Sequence, residues 1–421
     1  MVFIISSFSG CSILGDVLNS DSDKKNVRNE EADRALYEAI QRDDIEAIDQ
    51  ALQDGANINQ LSASAVDGRY DNPVAIALFE GQNRQTAKHL LEKGADPNAK
   101  IQYGVSVLTY AAMNDLYDLA KYMLENGADP NCKDYVNEWT AIDYAAQSIY
   151  ESKNFIEMMN LLIQYGGKPS KQTVDNLIDK YPHQDIAENN NHYKSLHYLV
   201  TYMSDHNIKT GLDTGFEAAI IGDSKKLLKY LKDGKLTDEY QKTILEYAAA
   251  YCNPEVLEYL INNEWWCSLS YRTSNASSLL MLAAYGDNVD NMIYLKEKGV
   301  NINSQDNDIL LVDNHDSGQT ALYIATKEQS YEAVKWLLAN EATISYGMDI
   351  EDEKHEEALE MSILSINCDI EMLKLYINHG YYLSEEALEE LIDNANSMRH
   401  RGHTYDSYDE FIRYVKNLSK N

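Results

Sequence analysis

Proline is scarce in this chain, with six in 421 residues. So few helix-breaking rings suit a mostly helical architecture. Cysteine is scarce too. The five present are Cys11, Cys132, Cys252, Cys267 and Cys368, and no two sit at CxxC spacing. That excludes zinc ribbons and thioredoxin-like redox chemistry. Positive charge is in deficit: 36 Lys and Arg face 68 Asp and Glu, a formal net charge of −32. Phosphate backbones need a basic surface, so nucleic acid is excluded as a partner class. Docking on an anionic membrane face is excluded by the same charge balance. No uninterrupted apolar run approaches the ~18 residues of a membrane span.

Signatures of catalysis are missing as well. Neither GxGxxG nor the phosphate-binding GK[ST] occurs. Gly104-Val105-Ser106-Val107-Leu108 starts like a nucleophile elbow and fails at its last position. His355-Glu356-Glu357-Ala358-Leu359 starts like a zinc-protease helix but has no second His, and His400 with His403 lacks carboxylate support. Asp306-Asn307-Asp308 lacks the Gly and the final Glu of a calcium loop. The reading is therefore of a non-enzyme with no catalytic residue, no metal and no cofactor.

What is present is apolar content and repetition. The hydrophobic fraction is 44% with 31 Tyr, enough for a large core. Four stretches end alike: GANIN at 55–59, GADPN at 94–98, GADPN at 127–131 and GVNIN at 299–303. Each follows an apolar helical segment such as TAKHLLEKG (86–94), and further upstream lies a segment rich in small residues, such as LTYAAM (108–113) or LMLAAY (280–285). The distance from the second Ala of the pair to the later Gly is 15 residues for Ala112–Gly127, Ala219–Gly234 and Ala284–Gly299. The steps between the glycines at 55, 94, 127 and 166 are 39, 33 and 39.

A period near 33 with these motifs resembles the ankyrin repeat. The family's TPLH start survives in degenerate form, as in Asn72-Pro73-Val74-Ala75 and Gln319-Thr320-Ala321-Leu322. The expected fold is an all-α ankyrin-repeat solenoid of about nine helix-turn-helix units, beginning near Glu31, Asn72, Val105, Glu138, Leu212, Lys242, Ser277, Gly318 and Lys354. The small residues belong on an inner helix, where neighbouring units stack closely. The Gly slot ends the outer helix with a positive φ. Glu264 and Glu341 occupy that slot and should strain or alter the turn.

Five segments are expected: a signal-like tether (1–30), repeats one to four (31–169), an irregular helical insert (170–211), repeats five to nine (212–381) and C-terminal capping helices (382–421). The insert reads either as a decayed repeat or as an added helical pair. Ser384 is placed to cap the first closing helix. Cys252 and Cys267 are either bridged or free.

At the N-terminus, Phe8-Ser9-Gly10-Cys11 resembles the lipobox of bacterial lipoprotein signals, without the usual positively charged n-region. The resemblance implies lipidation at Cys11, and Ser12 after it implies outer-membrane retention in the periplasm. A cytoplasmic form from an internal start is the other address considered.

With chemistry excluded, binding remains, and the partner is expected to be a protein. Ankyrin arrays implicate the inter-repeat loops and the inner helices. The long loops here carry Arg69 and Tyr70, then Trp265, Trp266, Tyr271 and Arg272, residue types that anchor interfaces. The other reading of each Trp is packing into the neighbouring unit. Asp306, Asp308, Asp313 and Asp316 in one loop, and Asp349, Glu351, Asp352 and Glu353 in the next, are either a patch steering a basic partner or solvated surface. Lipid anchor and acidic binding rod together resemble the ankyrin-repeat immunity lipoproteins that neutralise type VI secretion effectors, among them phospholipases. That resemblance implies occlusion of a toxin's active site. Alternatives are a periplasmic scaffold or stress-protection protein that binds an endogenous enzyme, and an effector delivered to eukaryotic cells.

Overall fold

The computed structural model describes residues 30–61, 72–79, 83–147, 155–179, 190–237, 240–264, 266–273, 277–305, 319–342, 370–380, 388–389, 391–393, 395–396 and 406–418. The chain divides into two compact units, Met1–Ala99 and Lys100–Asn421. Among the described residues there is no strand beyond two isolated bridges, Lys100 with Ser106 and Arg272 with Ser278. Both units are all-α and built from helix pairs, the repeat solenoid that the sequence implied.

In the first unit, α1 (Glu30–Gln41) packs on α2 (Ile45–Gln53) and on α3 (Pro73–Phe79), and α3 packs on α4 (Arg84–Glu92). Local sequence sets each start. Asp44 caps α2 through the Ala47 N–H, at 3.0 Å, and Asn83 caps α4 through the Gln85 and Thr86 N–H groups. Pro73 opens α3, where its missing N–H costs nothing. Every side chain from Pro73 to Leu78 is buried, as an inner helix requires. Buried Asp33 accepts from the Asn57 N–H at 2.8 Å, which fixes the turn after α2.

The second unit repeats the pairing. Its helices are α5 (Val107–Met113), α6 (Tyr117–Glu125), α7 (Ala141–Gln147), α8 (Phe155–Gln164), α9 (Lys171–Asp179) and α10 (Asn190–Asp205). Then come α11 (Thr214–Ile221), α12 (Ser224–Lys232), α13 (Gln241–Tyr251), α14 (Pro254–Asn263), α15 (Leu279–Tyr285), α16 (Val289–Glu297), α17 (Ala321–Lys327) and α18 (Tyr331–Ala339). Inner helices stack in two runs, α5–α7–α9 and α11–α13–α15–α17, with α10 packed between α9 and α11. Outer helices α12, α14, α16 and α18 form a second layer. Next, α19 (Ile370–Asn378) packs on α18, and Lys374 of α19 lies over the ring of Tyr414 in α20 (Asp406–Leu418) at 5.6 Å.

Composition explains the layers. All seven residues of α15 are buried, and the Ala pairs let inner helices approach closely. A Cβ on Gly286 would stand 2.2 Å from the Ala250 carbonyl oxygen, so only glycine fits there. Outer helices are one-sided: α12 buries Leu227, Tyr230 and Leu231 and exposes Lys225, Lys229 and Lys232. The two glutamates in the glycine slot resolve differently. Glu341 takes the left-handed conformation at φ 59 and bears its strain. Glu264 leaves it for extended backbone at φ −108, ψ 115, so that turn is rebuilt. Cys252 and Cys267 are free, buried thiols, each pushed up to about 12, mainly by burial. Ser384 lies outside the described residues.

Polar side chains tie one pair to the next at the C-terminal ends of the inner helices. Fully buried Asn291 of α16 donates its amide to the carbonyls of Ala248, Ala249 and Cys252, where α13 ends. Ser330 does the same for Tyr285 at the end of α15, at 3.0 Å. They serve carbonyls at the helix end, where intrahelical donors run out, although the Ala248 carbonyl also accepts from the Cys252 N–H.

Candidate functional site

Two neighbouring hairpin loops in the second unit carry the most exposed large apolar side chains of the described residues. The first, Lys100–Ser106, closes with the Ile101 N–H on the Val105 carbonyl at 2.8 Å. Its tip turns through Tyr103 at φ 61 and Gly104 at φ 77. A tyrosine in the left-handed region bears a Cβ clash that glycine would avoid. The second loop, 133–140, is organised by buried Asp134. Its carboxylate accepts from the backbone N–H groups of Val136 and Asn137, both at 2.7 Å, and of Trp139 at 2.9 Å. Three charge-assisted bonds to one side chain make this loop rigid.

The two loops join at their tips. The Tyr135 N–H donates to the Tyr103 carbonyl at 2.7 Å. The Tyr135 ring lies against Gly104, where an added Cβ would stand 2.7 Å from the ring. Lys100 Nζ lies 4.8 Å from the centre of that ring, within cation–π range. Tyr103 is nevertheless 64% exposed, Tyr135 74% and Val136 65%. Fixed backbone under solvent-facing tyrosines is how an interface anchor is built: the ordering cost of binding is already met. The sequence pattern does not single these residues out, because they lie in short loops rather than in the long insertions. The available signal was Asp134 followed by Asn137 and Trp139, a side chain placed to accept from the loop's own backbone.

Residues 268–273 and 277–278 hold part of the aromatic–basic set expected at 265–272 and pair across Arg272 and Ser278. The Thr273 N–H donates to the Ser277 carbonyl at 3.0 Å. Arg272 is exposed and donates to the Tyr271 carbonyl at 3.0 Å. Tyr271 is half-buried and donates its hydroxyl to Glu246 at 3.0 Å, so its ring is braced against α13. Trp266 is half-buried, and its indole N–H is enclosed without a partner among the described residues. Trp265, Arg69, Tyr70, Cys11 and the acidic residues Asp306, Asp308, Asp313, Asp316, Asp349, Glu351, Asp352 and Glu353 lie outside the described residues.

Among the described residues no three His, Cys, Asp or Glu side chains group to hold a metal, and no helix is long and apolar enough to cross a membrane. An open groove of about 460 Å³ between α12 and α14 is lined by Lys225, Lys229 and Lys232, with Asp233 and Glu255 among them. Mixed charge on exposed side chains makes it a solvated face rather than an anion site.

Residues 74–173 and 266–351 match the family described as ankyrin repeats, three copies. Those two stretches are ankyrin repeats, within an all-α repeat solenoid. Such repeats are a protein–protein interaction module, and proteins made of them are typically non-enzymatic binders. The ankyrin match covers the hairpins at 100–106 and 133–140 and residues 268–273 and 277–278, which places the exposed tyrosines at inter-repeat loops of the array.

Proposed function

We propose that this chain is an immunity protein: it binds a secreted antibacterial toxin, a type VI effector of phospholipase type, and neutralises it by covering the active-site mouth. The reading rests most on the exposed tip formed by Tyr103, Tyr135 and Val136, whose backbone the fold holds in place while the side chains face solvent. A net charge of −32 favours a basic partner and speeds its capture over distance. Phe8-Ser9-Gly10-Cys11 supplies the address, a lipid anchor in the periplasm where such a toxin arrives. Occlusion needs no chemistry from the binder.

Co-expression tests this directly. The proposal requires a toxin gene beside this one; the chain and that toxin should purify as a one-to-one complex, and the toxin in that complex should release no fatty acid from lipid vesicles. Full toxin activity in the presence of excess chain would remove the immunity reading.

A further inference from the structure

Solenoid proteins make contacts almost only between adjacent repeats. Helix α10 breaks that rule. At 16 residues it is the longest helix among those described, and its contacts reach far along the chain. His197 Nδ1 donates to the carbonyl of Ile220 near the end of α11, and its ring stacks on Tyr251, the last residue of α13, at 3.9 Å and 7°. The Lys194 N–H donates to the Tyr285 hydroxyl, at the end of α15, at 3.1 Å. Lys194 Nζ then reaches the turn after α17, where it donates to the Glu328 carbonyl at 2.6 Å and pairs with the Glu328 carboxylate at 2.9 Å. One side-chain row thus touches the C-terminal ends of four successive inner helices.

The division of labour is specific. The carbonyls ending α13 and α15 are taken by Asn291 and Ser330, each from the next repeat. The Ile220 carbonyl at the end of α11 and the Glu328 carbonyl after α17 are taken by His197 and Lys194 of α10, while Cys252 Sγ of the next repeat approaches the Ala219 carbonyl at 4.0 Å. A cation at a helix C-terminus also meets the negative end of the dipole. Glu328 is 8% exposed at its side chain and Lys194 28%, so the pair is partly withheld from solvent. The helix is not a loosely laid strap, since Ser195, Leu196, Leu199, Val200 and Met203 are all buried.

We propose that α10 is a clasp: it binds the repeats from α11 to α17 into one cooperative unit by capping the first and last inner helices of that run. Nearest-neighbour stacking alone would let the α17–α18 pair open independently of α10. The clasp couples them across 134 residues of sequence. This proposal stands independently of the partner reading, because its test uses the free chain.

Hydrogen exchange on the full-length protein decides it. Lys194→Met keeps the apolar stem and removes the charge, while Lys194→Arg restores a cation as the folding control. With Lys194→Met, amides in 320–338 should exchange about tenfold faster than in wild type, and Lys194→Arg should recover most of that protection. Glu328→Gln should loosen amides in 190–205 in the reciprocal sense. Acceleration confined to the neighbourhood of each substituted residue would overturn the clasp. So would faster exchange that Lys194→Arg leaves uncorrected.

Discussion

Lys194 and Glu328 stand 134 residues apart in the chain and 2.9 Å apart in the fold. A stack of repeats with only neighbour contacts would never bring them together. Their pairing makes α10 part of the architecture of the later repeats, although it precedes all of them in sequence.

The stack that accompanies this pair yields a stability prediction. The Tyr251 hydroxyl is buried and has no hydrogen-bond partner among the described residues, and its pKa is raised above the ordinary 10.0, chiefly by burial. Burying an unpaired hydroxyl costs roughly 1 kcal/mol or more. Tyr251→Phe keeps the ring against His197 and removes that cost. We expect the variant to be more stable than wild type by about 1 kcal/mol in urea unfolding. A loss of stability would mean that the hydroxyl is satisfied after all.

His197 makes the same region sensitive to acid. Burial holds its imidazole below the ordinary 6.5, partly offset by the bond to the Ile220 carbonyl. Tyr251, Lys194, Tyr285 and Glu328 are the titratable groups of the clasp around it. The unfolded chain then binds a proton that the native chain refuses, in the window below 6.5. This contribution is complete above that value and shrinks as pH falls through the window. Unfolding midpoints measured from pH 7.5 to 5 should therefore decline, and His197→Gln should flatten that decline. Identical slopes in both proteins would contradict the assignment.

The hairpin tips separate folding from binding. Tyr103→Gly relieves a left-handed tyrosine, so the free protein should keep or gain up to about 1 kcal/mol of stability. The same change deletes an anchor, and the Kd for the protein partner should rise by tenfold or more. Asp134→Ala should act differently. It removes the acceptor of three backbone N–H groups and should cost roughly 2–4 kcal/mol. Calorimetry and titration on both variants would distinguish an anchor from a scaffold residue. Unchanged affinity in Tyr103→Gly would take that tip out of the interface.

Gly286 tests the close stacking of inner helices. Its φ is ordinary, so the constraint is space: a Cβ would meet the Ala250 carbonyl oxygen at 2.2 Å. Gly286→Ala should destabilise by about 1–3 kcal/mol through backbone displacement. Gly234→Ala is the contrast, where an added Cβ meets nothing within 4 Å and only φ 67 opposes it. Equal losses at both sites would argue against close contact between α13 and α15.

Much of this fold was legible in the sequence because repetition writes it many times. The 15-residue step from Ala pair to glycine recurs, and the inner and outer helices fall where that step places them. Glu264 and Glu341 illustrate where such reading stops. Both are expected to strain or alter the turn, and each does one of the two: Glu341 stays left-handed and Glu264 turns extended, a difference that the shared residue type does not predict. The course of α10 left no periodic trace, since a Lys and a Glu at a separation of 134 look like any two surface charges. Within the candidate site, Tyr271 and Arg272 were picked out by residue type. The tyrosine tips at 103 and 135 were not, because their exposure follows from a backbone held by Asp134 and Gly104. The exposed rings sit on short rigid loops rather than on the long insertions.

The most direct test of the proposed protein binding through these loops is growth of cells that express a toxin, the partner that the immunity proposal requires. Wild-type chain should restore growth, and Tyr103→Ala with Tyr135→Ala should fail to restore it while remaining folded by circular dichroism. Rescue by the double variant equal to that of wild type, or no rescue by wild type, would contradict the assignment.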